Sequence, residues 1–272
     1  MNFRLAAFAD EADSSISGQI KAMQENGIDL LEIRGVDGEN ISDISKEKAK
    51  EVRRQLDDAG ISVWSIGSPY GKIGICDDFS SHLDKFRAGL ETAAILGAGH
   101  IRMFSFYVPS GDEERYSEEV MNRLEKFISA AEGSGIILCH ENEKGIYGDN
   151  AARCLEIHKR FSGLKAVFDP ANFIQCGQDT KEAWNQLSPY VEYMHIKDAT
   201  ADGAVVPAGK GIGNIPYLLS NYSGSVLTLE PHLSVFEGFE QLEAEEKTKR
   251  KYCYPSSRAA FDAAVNAIKE IM

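Results

Sequence analysis

The sequence has no apolar run near the roughly 18 residues that a membrane-crossing helix needs. Its opening, MNFRLAAFADEAD, turns acidic after a short apolar stretch, so it does not read as a secretory signal. A cytoplasmic protein without a membrane partner is expected. Cysteine is sparse and scattered, at 76, 139, 154, 176 and 253, with no CxxC pair. An odd, dispersed set argues against a disulfide framework and against a structural zinc site. Basic residues are also short, 29 Lys and Arg against 42 Asp and Glu, for a formal net charge of −13. Such a chain repels nucleic acid over most of its surface. Small-molecule partners remain, and a local basic pocket can still hold an anion. No glycine-rich phosphate loop follows the first apolar run, which continues as AFADEADSS. A doubly wound dinucleotide fold would more often carry one there.

What is present is regular alternation. Short apolar or β-branched runs predict strands at RLAAFA (4–9), LLEIR (30–34), SVWSIGS (62–68), HIRMFSF (100–106), IILCHEN (136–142), KAVFDP (165–170), VEYMHIK (191–197) and SVLTLEP (225–231). Amphipathic, charge-rich segments between them predict helices near 15–26, 45–59, 81–96, 116–132, 150–161, 180–187, 215–221 and 256–271. Glycine follows several of them, in AMQENG, LDDAG and AILGAG, where a left-handed cap is needed. Eight strand–helix units in 272 residues predict an α/β fold, a (β/α)8 barrel formed by a single domain over 1–272. Residues 233–254 read as an insertion after the eighth strand, a solvated face or else a lid or subunit contact.

Barrel chemistry sits at the carboxyl ends of the strands. The last four predicted strands end in Glu141, Asp169, His195 and Glu230. Adjacent strands lie about 4.8 Å apart, so one inward side chain from each can converge on a point. Taken singly, each has a plain structural reading: Asp169 before Pro170 can start a turn, and a lone histidine is usually a packed one. Together, three carboxylates and an imidazole in a closed cavity repel one another unless a cation is present. A divalent ion answers this, with Mn²⁺, Co²⁺, Zn²⁺ and Mg²⁺ all suited to such donors.

The series Glu141 (HEN), Asp169 (FDPAN), His195 (HIKD) and Glu230 (LEP), with PAGKGIGNIP at 207–216, resembles the xylose isomerase-like TIM barrels of the sugar phosphate isomerase/epimerase group. The resemblance implies one divalent ion, Mn²⁺ foremost, held by these four residues. It implies a small-molecule sugar, sugar phosphate or keto-cyclitol as substrate. It also implies proton transfer next to a carbonyl through a metal-stabilised enediolate, with Glu141 and Glu230 as the acid/base pair. It leaves room for a homodimer or homotetramer. One departure stands out: ketose epimerases of this family often have a histidine three residues after the aspartate, and here that residue is Asn172.

Candidate substrate contacts are Asn172, Asp198, His232, Glu143, Glu32 and Arg34. His140 should face outward by strand alternation, Lys197 reads as solvated, and Phe8 and Trp64 read as core or as a sugar-stacking wall. Arg34, Arg102, Lys210 and Arg258 are the cations able to meet a phosphate. Competing activities on the same residues are an inosose dehydratase-like lyase and a hydroxypyruvate isomerase. An AP-endonuclease-like phosphodiesterase would need a histidine-rich multinuclear cluster, and only His195 and His232 fall near the centre. A non-catalytic sugar-binding barrel has no use for two opposed glutamates.

Overall fold

The apolar runs pair as parallel strands, and the helices between them carry the chain from each strand to the next. The computed structural model describes residues 3–233, 235 and 252–272. Its barrel strands are β1 (Arg4–Ala7), β2 (Leu30–Ile33), β3 (Ser62–Gly67), β4 (His100–Met103), β5 (Ile137–Glu141), β6 (Lys165–Phe168), β7 (Val191–Ile196) and β8 (Val226–Leu229). They pair in chain order, all parallel, and β8 closes on β1 through Ala6 opposite Thr228. The (β/α)8 barrel expected from the alternation is the fold. Around it run α1 (Ile16–Asn26), α2 (Lys46–Asp58), α3 (Phe79–Leu96), α4 (Glu113–Ala131), α5 (Ala151–Arg160), α6 (Pro170–Gln175), α7 (Thr180–Leu187), α8 (Ile215–Asn221) and α9 (Ser257–Lys269).

The helix starts are chemical. Ser15, Ser45, Asn150 and Ser256 each accept the backbone N–H three residues on, satisfying a donor that the first turn leaves free. Gly27 and Gly97 end α1 and α3 at φ 65° and 71°, a conformation an L side chain resists. One helix departs from the expected set. The pair Asp169–Pro170 begins α6 instead of a turn: the Asp169 carboxylate accepts the Asn172 N–H at 2.9 Å. Pro170 takes the first helical position, where its missing N–H is no loss. Two short hairpins, 35–36 with 39–40 and 198–199 with 205–206, add to the expected strand–helix alternation.

The core has two shells. The larger lies between strands and helices, with Phe86, Phe106, Phe127 and Tyr70 wholly buried. The smaller fills the barrel with Ala6, Leu30, Cys139, Val167, Tyr193 and Val226. Side chains alternate along a strand, so the residue two positions further on points into the same interior, one layer higher. Those residues are Glu32, Glu141, Asp169 and His195, above Leu30, Cys139, Val167 and Tyr193. The apolar layer is thus the floor of a polar one.

Among the described residues no helix is long and apolar enough to cross a membrane. Of the segment expected as an insertion, 233–254, only Leu233, Val235 and 252–254 belong to the described residues.

Candidate metal centre

Glu141, Asp169, His195 and Glu230 meet at the carboxyl end of the barrel. Each is buried, and each offers one ligand atom within 4.8 Å of the others. His195 Nδ1 lies 3.0 Å from Glu141 Oε1 and 3.5 Å from Glu230 Oε2. Metal–ligand bonds of about 2.0–2.2 Å allow ligand atoms up to about 4.4 Å apart, so the cluster is close to the size of one coordination shell. Glu141 Oε2 and Asp169 Oδ2 are buried without a well-formed hydrogen bond. They have charge contacts only, Arg102 Nη1 at 3.3 Å and Lys197 Nζ at 2.8 Å. Buried carboxylate oxygens with spare lone pairs, beside one imidazole, suit a hard or borderline divalent ion. The residues therefore fit the ion that the sequence pattern implied.

Buried cations and the imidazole offset the acids of this layer. Burial pushes the Glu141 carboxyl up, but His195 and Arg102 beside it outweigh burial and hold it at about 2. Burial would raise Glu230 too, and Lys197 with its histidine neighbours holds it well below the usual carboxylate range. Asp169 goes the other way: burial pushes it up to about 7, although Lys197 opposes the rise. His195 is raised well above its ordinary value, since Glu141 and Glu32 overcome burial. An ion held by Nδ1 would take the place of a proton there.

Glu32 lies beside the imidazole in the same layer and is fully buried. Its Oε2 accepts from His195 Nε2 at 3.2 Å, and its Oε1 accepts the Tyr193 hydroxyl at 2.8 Å. This leaves Nδ1 as the nitrogen aimed at the other ligands. A carboxylate that fixes a ligating imidazole typically matters 10- to 100-fold to metal affinity, on the order seen for such partners. Glu32→Gln is therefore expected to weaken Mn²⁺ binding by roughly that factor, read by calorimetric titration. Unchanged affinity would show that Glu32 does not hold His195.

Other anticipated residues take definite places. Asn172 is buried and donates from Nδ2 to Glu141 Oε1 at 3.2 Å and to the Asn142 carbonyl at 2.9 Å. Arg34 lies at the mouth, in ion pairs with Asp10, Glu11 and Glu230. His232 is half exposed beside Glu11 and Glu230. Glu143 pairs with Lys72 at 2.8 Å, in the loop beyond β5. Asp198 is fully buried and turned away from the centre: it accepts the N–H groups of Ala199, Gly209, Gly211 and Gly213 at 2.8–3.1 Å. The glycine-rich segment wraps this carboxylate. A Cβ on Gly211 would lie 2.2 Å from the Ala199 oxygen, so only glycine lets the loop close this tightly. His140 faces outward as alternation requires, its Nε2 2.9 Å from Ser105 Oγ. Phe8 is core and wall at once, buried and edge-on to His195 with centroids 5.2 Å apart. Arg258 pairs with Glu25 and Asp262 on the helical side.

Three contributors were not singled out for the centre. Lys197 is not solvated; it is buried, with Nζ 2.8 Å from both Asp169 and Glu230. Arg102 is buried against Glu141 and stacks on Phe104 at 4.6 Å. Asn142 clamps the Asp169 backbone with two hydrogen bonds of 2.9 Å. Alternation could have found Lys197, two residues beyond His195 on the same face.

The family profile described as xylose isomerase-like TIM barrel matches residues 20–247. A 3-dehydroshikimate dehydratase of Bacillus anthracis is 21% identical over 190 residues, 69% of this chain and 68% of that one. The IolI protein with a bound zinc atom superposes with a TM-score of 0.75 at 15% identity, over 98% of this chain and 97% of that one. D-psicose 3-epimerase of Clostridium cellulolyticum H10, crystallised with D-tagatose, gives 0.71 at 14% identity, over 98% of each chain.

Proposed function

We propose, from the premise that this chain belongs to the xylose isomerase-like TIM barrel family, that it is a divalent-metal-dependent sugar or sugar phosphate isomerase/epimerase. The observation that carries this reading is the placing of two glutamates on one imidazole nitrogen, each with its far oxygen held by a buried or half-buried cation. Glu141 Oε2 lies 3.3 Å from Arg102, and Glu230 Oε1 lies 3.4 Å from Arg34. When bound, a divalent ion would supply Lewis acidity to the substrate carbonyl and the oxygen beside it.

The remaining work falls to side chains. Both glutamates are carboxylates at neutral pH, so either can take a proton from a carbon next to the carbonyl. A proton returned on the opposite face gives an epimer; one returned to the neighbouring carbon gives an isomer. Arg102 and Lys197 are buried cations, and negative charge developing on a substrate oxygen is stabilised by such groups in a low-dielectric site. Asn172 keeps Glu141 in place and has no proton to transfer. The proposed ion is Mn²⁺, with Zn²⁺, Co²⁺ or Mg²⁺ as substitutes; similarity to a zinc-bound protein supports a metal of this class.

A second reading has its own support. Lys197 places an ammonium between two ligands, where it can donate to a departing hydroxyl, and a dehydratase is among the relatives. A lyase acting on a keto-cyclitol or a related ring would use the same base. One experiment separates the readings. The Mn²⁺-loaded protein is incubated in D₂O with ketoses, sugar phosphates and keto-cyclitols, and products are weighed by mass spectrometry. An isomerase or epimerase adds deuterium next to the carbonyl without loss of water. A lyase product is lighter by one water. Neither exchange nor loss of water with any member of the panel would favour a binding barrel and defeat both.

A further inference from the structure

The mouth of the barrel carries a second group of ligand-type atoms that shares a member with the first. Glu11, Glu230 and His232 each offer an atom within 4.8 Å of the other two. Two clusters joined through one carboxylate are the frame of a two-ion centre. In this chain the second position is already filled by a cation. Arg34 Nη1 lies 3.4 Å from Glu230 Oε1 and 3.3 Å from His232 Nε2. Its Nη2 lies 3.3 Å from Glu11 Oε1 and 3.1 Å from Asp10 Oδ1, and its Nε lies 2.9 Å from Asp10 Oδ2. Both terminal nitrogens of the guanidinium are thus directed at the group, while Nε and Nη2 hold Asp10 beside it. The plane rests on Phe8, with the central carbon 4.6 Å from the ring centroid.

We propose that Arg34 stands in for a second divalent ion, so that the centre takes one ion only and Glu230 offers it one oxygen. This rests on the reading of Glu141, Asp169, His195 and Glu230 as an ion site. The fork explains the division of Glu230: Oε1 faces Arg34, while Oε2 faces Lys197 and His195. A guanidinium is always charged and directs its donors in a fixed plane. It balances the acids at the mouth permanently, and the Asp10 pairing is bidentate, which fixes its orientation. A second ion cannot enter without expelling it. Without Arg34, Glu11, Glu230 and His232 would be a set of oxygen and nitrogen donors around one space. Arg34 is in this sense a positioning residue for Glu230, and it sets the number of ions.

The test is ion stoichiometry of the full chain with Mn²⁺ alone and with Zn²⁺ alone, by equilibrium dialysis and elemental analysis. Wild type is expected to hold one ion per chain. Arg34→Ala, and Arg34→Gln should the smaller residue destabilise the fold, are expected to hold two. Two Mn²⁺ ions bridged by Glu230 would also give a spin-coupled electron paramagnetic resonance spectrum in place of the single-ion one. Adding Glu11→Gln to either variant should return the count to one. A count of one in a folded Arg34 variant, or of two in wild type, overturns the role given to Arg34. A count of zero in wild type overturns the ion site itself.

Discussion

Glu141→Gln in the ion-loaded protein is expected to slow deuterium exchange next to the substrate carbonyl by about 10²- to 10⁴-fold, the usual worth of a positioned base. Glu230→Gln is expected to do the same from the opposite side. Glutamine keeps the shape and an acceptor oxygen, so packing and much of the coordination survive while the proton acceptor is lost. Both residues are also proposed ligands, and ion content must be measured alongside. Glu141 reaches His195, Arg102 and Asn172 at once. Its substitution should therefore weaken ion binding as well as slow exchange, and a saturating ion concentration separates the two effects. Full exchange at full ion occupancy in either variant would remove that glutamate from the role of base. If both kept it, proton transfer would have to be assigned to a group other than these two glutamates.

The barrel was legible because its grammar is local. Each strand is a short apolar run separated from the next by an amphipathic helix, and β5 (Ile137–Glu141) lies within the apolar run 136–142. The misjudged elements are those whose cues compete. At Asp169–Pro170 the same pair serves a turn or a helix start, and only the Asn172 N–H decides. The α4 start at Glu113 lies three residues ahead of the expected one, because the acids before Tyr116 read as loop although they suit a first turn. The site was legible where one residue per strand end formed a series. It was not where the chemistry depends on long-range pairing. Lys197 looks like any charged strand end until Asp169 and Glu230 appear 2.8 Å away. Asp198 looks like a pocket acid until the glycine segment closes on it. The difference is that the loop's amides are supplied from 11 to 15 residues downstream, beyond local pattern. Arg102 lies on the strand face that points inward, but nothing in sequence shows that Glu141 waits beside it.

Lys197→Met is expected to make folding stability depend on the ion. The ammonium is buried between Asp169 Oδ2 and Glu230 Oε2 and is 2.8 Å from each. Removing one member of a buried charge group typically costs about 3–5 kcal/mol, because the partners stay buried and unpaired. For a chain of this size that corresponds to a fall in melting temperature on the order of 10 °C. Protonation offsets part of the loss. Burial already pushes Asp169 up to about 7 with Lys197 opposing, and without the lysine its carboxyl rises further. A carboxyl whose folded-state pKa is raised favours folding at low pH, and that contribution is lost as pH rises through the raised value. The deficit of the metal-free variant against wild type should therefore be larger at pH 8 than at pH 6. A divalent ion supplies the missing charge to the same two oxygens, and any ligand that binds only the folded state stabilises it by mass action. Saturating Mn²⁺ should accordingly raise the variant's melting temperature more than that of wild type and narrow the gap. If the metal-free variant melts with wild type at both pH values, Lys197 does not balance Asp169 and Glu230, and the account of how this centre stays folded without an ion is wrong.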